Sequence, residues 1–106
     1  MTPHWGEVWW CDTSTAGRRP CVVLTREAAI PRLRKILVAT ATTTVRGLVS
    51  EVELDPERDP VPTACVLSLD TPEVLPLAAF QERIGSLSLA RMQEVCQALA
   101  ASVDCR

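Results

Sequence analysis

Apolar residues recur along this chain at two different periods. The Trp- and Val-rich stretch Trp5–Asp12 predicts a first strand, and the polar run Asp12–Gly17 predicts a short loop after it. Pro20–Thr25 is continuously apolar, as expected of a strand buried on both faces. Arg26–Lys35 is mixed and basic, with Pro31 placed to open a turn of helix. Ile36–Thr42 predicts a third strand. Ser50–Asp55 then alternates, with Ser50, Val52 and Leu54 on one face and Glu51, Glu53 and Asp55 on the other, the pattern of a half-buried antiparallel strand. Asp55–Pro62 reads as a charged, proline-bounded turn. Cys65–Leu69 predicts another strand, with short extended pieces at Glu73–Leu75 and Arg83–Ser86.

Near the end the period changes. Leu89, Met92, Cys96, Leu99 and Val103 fall on one stripe at helical spacing, with Val95 beside them, while Arg91, Gln93, Glu94 and Gln97 take the polar positions. Ser88 is placed to cap the first turn. A small antiparallel sheet covered by one terminal amphipathic helix is an α+β arrangement.

A chain of 106 residues with 47% apolar content suits one domain, residues 1–106, with a modest core. No apolar run approaches the roughly 18–20 residues that span a bilayer. Met1-Thr2-Pro3-His4-Trp5 has neither a basic start nor an apolar signal core, so a cytoplasmic protein is expected. Five widely spaced cysteines, with no C-x-x-C pair and His4 as the only histidine, make a zinc site a poor expectation and buried reduced thiols a good one. Net charge is −2, yet residues 1–46 hold seven basic and three acidic side chains and residues 47–106 four and ten. A localised basic face can bind RNA despite an acidic total.

Two segments suggest chemistry. Arg18-Arg19-Pro20 sets a fixed charge at the mouth of a buried strand, and Thr40, Thr42, Thr43 and Thr44 set hydroxyls at the end of another. Brought together, they suit a phosphate whose negative charge grows during reaction. A solvated arginine held extended before proline, and threonines that merely favour strands, are the plain alternatives. With one histidine, a two-histidine ribonuclease is excluded. Trp5, Trp9 and Trp10 can stack bases or pack, and adjacent Trp9 and Trp10 point to opposite faces, so at most one of that pair lies in the core.

In order and spacing, Gly6-Glu7-Val8-Trp9, Arg19-Pro20 with Val22-Val23-Leu24, Thr42-Thr43, and Ile84-Gly85 before a terminal amphipathic helix resemble the MazF/PemK endoribonuclease toxins. Leu24-Thr25-Arg26-Glu27 and Thr42–Leu48 look like the actinobacterial branch. The resemblance runs from about residue 5 to residue 103. It implies a small SH3-like antiparallel β-barrel with a C-terminal amphipathic helix. It also implies a homodimer, a cognate MazE-like antitoxin, and sequence-specific, metal-independent and cofactor-free cleavage of single-stranded RNA. By position it places the catalytic arginine on Arg19 and the catalytic threonine on Thr42. Arg18, Thr44 and Arg46 follow as backbone-phosphate contacts. Arg26, Arg32, Arg34 and Lys35 either steer RNA from a loop near the groove or form a solvated basic face. Two departures stand out. The family's first loop often carries a glutamate that Asp12–Arg18 lacks, and Asp70-Thr71 replaces an acid-amide pair, so the target sequence does not carry over.

Two rivals belong to other classes. A CcdB-like gyrase-binding toxin shares the implied fold and cuts nothing, but its tryptophan-containing tip has no counterpart in Ser102-Val103-Asp104-Cys105-Arg106. An inert SH3-like interaction module has no need of a charge and hydroxyls gathered at one groove.

Overall fold

A computed structural model describes residues 2–14 and 16–105; Met1, Thr15 and Arg106 lie outside the described residues. Seven strands and one helix follow in chain order: β1 (Glu7–Thr13), β2 (Gly17–Val23), β3 (Lys35–Thr42), β4 (Glu51–Leu54), β5 (Cys65–Ser68), β6 (Glu73–Pro76), β7 (Phe80–Ser86) and α1 (Leu89–Ser102). Single 3-10 turns at Ile30–Arg32, opened by Pro31, and at Leu77–Ala79 complete the order. All pairings are antiparallel, in the order β4-β5-β3-β2-β1-β7. Strand β3 is the hub: one edge pairs with β2, and the other pairs first with β6 and then with β5. The α+β expectation holds. Among the described residues no helix is long and apolar enough to cross a membrane.

Both faces of the sheet are covered, which explains why β2 is apolar without alternation. Val8, Val22, Ala39 and Ala41 face one core, completed by Val52, Leu54 and Leu67 and by Met92, Val95 and Ala98 of α1. Trp9, Cys11, Cys21, Val23, Ile36 and Val38 face the other, with Ile30, Leu75 and Ala79. The ladder leaves β4 and β7 as its two ends. The loop after β4 nevertheless reaches β7, since a Cβ at Gly85 would stand 2.6 Å from the Pro60 side chain, closer than real atoms approach. Glycine at 85 thus permits the sheet to curl upon itself.

Two charged contacts hold the curled sheet. Glu7 on β1 is buried and accepts from the His4 backbone N–H (2.7 Å), Trp9 Nε1 (3.0 Å) and Arg83 Nε of β7 (2.5 Å). Arg91 on α1 donates through Nε and Nη2 to the two oxygens of buried Asp59 (3.1 and 3.0 Å), docking the helix on the loop after β4. His4 is therefore not on a loose terminus: its ring also pairs with Glu27.

The helix corrects the expected stripe. Ser88 caps it, accepting from Arg91 N–H at 3.1 Å, but the buried positions are Met92, Val95 and Ala98. Cys96 is exposed, as are Leu89 (67%) and Val103 (63%). The last two sit at or just beyond the helix ends. Cys11, Cys21 and Cys65 are buried free thiols, whereas Cys96 and Cys105 face solvent. Strand β2 begins at Gly17, three residues before the expected start at Pro20, because the arm Gly17–Pro20 pairs with β1 alone.

Candidate active site

Proline makes the cleft. The β2–β3 ladder runs from Val23 opposite Val38 to Cys21 opposite Thr40 and stops there, at Pro20, which has no N–H to donate. The strands part beyond that point. Continued two places, past Pro20 opposite Ala41, the register sets Arg19 opposite Thr42 across the gap. They line one cleft of about 480 Å³ together with Thr40, Arg46, Thr71 and Glu73. A smaller hollow of about 240 Å³ adjoins it and again contains Arg19 and Thr42, now with Trp10, Arg18, Thr43 and Cys65.

Each side chain has a local cause for its position. Arg19 is half-buried, and its Nε reaches the Ala16 carbonyl in the β1–β2 turn at 3.4 Å, a weak contact that leaves the rest of the guanidinium to the cleft. Gly17, at φ +72°, supplies the left-handed residue that this turn needs. Thr42 is the last residue of β3, and its hydroxyl accepts the Thr44 N–H at 3.2 Å. That hydroxyl can still donate its own proton. The Glu51 carboxylate accepts the N–H groups of Arg46, Gly47 and Leu48 at 2.9–3.4 Å, fixing the backbone that carries Arg46 to the rim.

The expected RNA contacts divide. Arg46 lies in the main cleft. Arg18 lies in the adjoining hollow, stacked over Trp10 at 4.3 Å from the ring centroid and donating to Gln81 at 2.8 Å. Thr44 is exposed and lines neither hollow; its tie to the site is the bond to Thr42. For Arg32, Arg34 and Lys35 the second of the two alternatives, a solvated basic face, fits: all three are exposed, and Lys35 starts β3 whereas Thr42 ends it, about 23 Å apart along an eight-residue strand. Trp9 is core, edge-on to Phe80 at 5.8 Å, while Trp10 is half-buried in the hollow.

Glu73 was not anticipated. It opens β6, is half-buried, and turns its carboxylate into the cleft, where it accepts from Ser14 (2.8 Å) and Thr40 (3.2 Å). The only signal in sequence was an acidic residue directly after Pro72 at the start of a short strand. Asp70 lies outside the cleft lining, with a short hydrogen bond from Ser50. Burial beside Asp59 pushes the Cys65 thiol up, and Cys11, hydrogen-bonded to Cys21 and buried, is likewise held as a neutral thiol. The hydrogen bond that the His4 ring makes to the accepting Glu27 carboxylate raises the pKa of His4, which stands outside both hollows. Among the described residues no group of three His, Cys, Asp or Glu side chains is placed to hold a metal ion.

The arrangement is a cationic, hydroxyl-lined groove at a strand end, and the fold that carries it is shared with known proteins. Residues 4–103 match PemK-like, MazF-like toxin of type II toxin–antitoxin system. The chain is 52% identical over 103 residues to the probable endoribonuclease MazF5 of Mycobacterium tuberculosis, covering 97% of this chain and 94% of that protein. Among solved structures, the Mycobacterium tuberculosis toxin MazF-mt6 superposes with a TM-score of 0.85 at 29% identity, covering 94% of this chain and 98% of that one. An endoribonuclease in complex with its cognate antitoxin, from a mycobacterial species, gives 0.87 at 23% identity, covering 98% and 97%, and shows the shared fold. With most of its length matched on both counts, the chain belongs to the PemK-like, MazF-like toxins of type II toxin–antitoxin systems.

Proposed function

We propose that this MazF-type endoribonuclease cuts single-stranded RNA, without a metal ion, by attack of the ribose 2′-hydroxyl on the neighbouring phosphorus. The P–O5′ bond breaks as the O2′–P bond forms, leaving a 2′,3′-cyclic phosphate and a 5′-hydroxyl. RNA carries its own nucleophile, so the protein has no need to make hydroxide from water, the task for which many nucleases recruit metals. What remains is to align the groups and to stabilise the pentacoordinate phosphorane.

The observation that carries this reading is the shared cleft of Arg19 and Thr42. The guanidinium can bond two phosphate oxygens at once and keeps its charge throughout. The Thr42 hydroxyl donates to an oxygen whose charge grows. Arg46 at the rim and Arg18 beside Trp10 suit the flanking phosphates and a stacked base. A gyrase-binding, non-cutting toxin is disfavoured, since this chain's relatives are named endoribonucleases. The same reading includes a homodimer acting in the cytoplasm and held in check by a MazE-like antitoxin. A structural neighbour solved with its cognate antitoxin supports the last point.

The test is direct. Purified chain incubated with a long unstructured RNA in EDTA should give fragments with cyclic phosphate ends, and 2′-deoxyribose at a mapped cut position should block that cut. Full-length RNA surviving high enzyme across a broad sequence pool overturns the reading.

A further inference from the structure

We infer that Glu73 is the general base, accepting the proton of the attacking 2′-hydroxyl; this rests on the ribonuclease reading above. A base must be unprotonated at neutral pH and able to touch the nucleophile. The polar groups lining the two hollows are guanidiniums, which stay protonated, and hydroxyls, which are poor bases. The Cys65 thiol in the smaller hollow is held neutral by burial. His4 and Asp70 lie outside both hollows. Among the lining residues Glu73 is the one carboxylate.

Its placement suits the task. Glu73 sits opposite Val38 on the edge of β3 and reaches along it to Thr40, while Ser14 from the β1–β2 turn fixes its other oxygen. A carboxylate has about four acceptor positions, so two hydrogen bonds leave each oxygen a lone pair for a substrate hydroxyl. Thr40 and Thr42 line the same cleft, about 6.6 Å apart along the strand. A phosphate held at Thr42 thus brings its adjoining ribose 2′-oxygen towards the carboxylate at Thr40. An anion in a groove that must admit a polyanion repels the substrate, a cost that a proton-accepting role explains.

In the step itself, the O2′–H proton passes to a Glu73 oxygen as the O2′ electron pair forms the bond to phosphorus. The P–O5′ pair leaves on the 5′-oxygen, which takes a proton from water, and Glu73 returns its proton to solvent. No atom changes oxidation state.

The experiment is single-turnover cleavage by wild type, Glu73→Gln and Glu73→Asp over a range of pH, with binding read on the 2′-deoxy RNA. Glu73→Gln keeps one acceptor oxygen and places an N–H donor at the other position, which the Ser14 or Thr40 hydroxyl can accept. It should bind RNA as tightly as wild type or more tightly, cut at the same positions, and be about 100-fold slower at neutral pH. Wild type should reach a plateau once the carboxylate is ionised, whereas the Gln variant keeps rising with hydroxide. Glu73→Asp should recover at least about tenfold over Gln, since it restores a carboxylate. Three results each overturn the inference: rates within threefold of wild type, parallel pH profiles, or altered cut positions at full rate, the last of which makes Glu73 a reader of bases. A wild-type chain that leaves RNA intact overturns the nuclease reading itself, so the two failures are distinguishable.

Discussion

Arg19 on β2 and Thr42 on β3 line the same two adjoining hollows, at the point where Pro20 ends the ladder between their strands. Neither side chain is in the core, and among the described residues their hydrogen bonds to the protein are the long ones to Ala16 (3.4 Å) and from the Thr44 N–H (3.2 Å). Their nearness follows from the antiparallel register, which places the two strand ends together.

Replacing Arg19 by alanine should therefore abolish cutting and spare the fold. Among the described residues the one hydrogen bond its guanidinium makes to the protein is the 3.4 Å contact with the Ala16 carbonyl, so the melting temperature should stay within a few degrees of wild type. Loss of a preorganised donor to a developing anion costs about 10²–10³ in rate. Arg19→Lys keeps the charge but not the two-point contact and should fall between. Wild-type cleavage by Arg19→Ala would remove the guanidinium from the mechanism.

Thr42 separates shape from hydroxyl. Thr42→Val keeps the β-branch and should preserve β3, while losing the donor to phosphate and the acceptor for the Thr44 N–H. Cleavage should fall at least about tenfold, and Thr42→Ser should restore most of it. Equal rates for the Val and Ser variants would make Thr42 a strand former only.

How much of this was legible in sequence varies with the physics involved. Strand β4 was plain because Val52 and Leu54 are buried on one face and Glu53 is exposed on the other, so periodicity reports burial. Arg19 and Thr42 were legible as candidates because charge and hydroxyls stood at predicted strand ends. The arm Gly17–Arg19 falls outside the strand expected from Pro20 since it lies outside both cores and is extended by pairing with β1. Glu73 was hidden for a related reason: its position is set by β6 docking on β3 across more than thirty residues of chain, and no local pattern encodes that. On α1, the stripe was misjudged because its buried line runs through Met92, Val95 and Ala98 at three-residue steps, which turns Cys96 to solvent, and period alone left the choice between i+3 and i+4 neighbours open.

That misjudgement gives a stability test. Met92 (1% exposed) is in the core, while Cys96 is at the surface. Met92→Ala should cost about 2–4 kcal/mol, and Cys96→Ser should stay within about 0.5 kcal/mol. Chemical denaturation of both variants decides the matter. Comparable losses would put Cys96 back in the core.

Glu7 should govern part of the acid response. Burial acts to raise its pKa, but hydrogen bonds from Trp9, Arg83 and the His4 backbone outweigh that and hold it below the ordinary value. A group whose folded pKa is depressed stabilises the fold above its unfolded pKa, and that contribution is lost as pH falls through the folded one. The melting temperature of wild type should therefore decline as pH drops below about 4.3, the usual glutamate value. In Glu7→Gln the decline over that window should be shallower. Parallel acid limbs would exclude Glu7 as a source of the dependence.

The two-point contact between Arg91 and Asp59 should be the most sensitive electrostatic joint of the fold. The Asp59 side chain is 3% exposed and that of Arg91 16%, so the carboxylate in particular is shielded from water. The hydrogen bond to Asp59 raises the Arg91 pKa, consistent with a guanidinium that stays charged. Removing Arg91 leaves the buried Asp59 carboxylate without its cation, which in buried pairs costs about 3–5 kcal/mol, whereas removing Asp59 leaves Arg91 its pair with exposed Glu94 at 2.8 Å. Asp59→Ala also frees the Asp55 N–H that its carboxylate accepts at 2.9 Å, loosening the loop that meets Gly85. With Arg91 removed, a loss of this size should lower Tm by more than about 12 °C in a chain of this length. Replacing both residues with apolar ones should recover much of it, because the desolvation cost then disappears with the charges. Single variants that melt within a few degrees of wild type would show that α1 is held by Met92, Val95 and Ala98 alone.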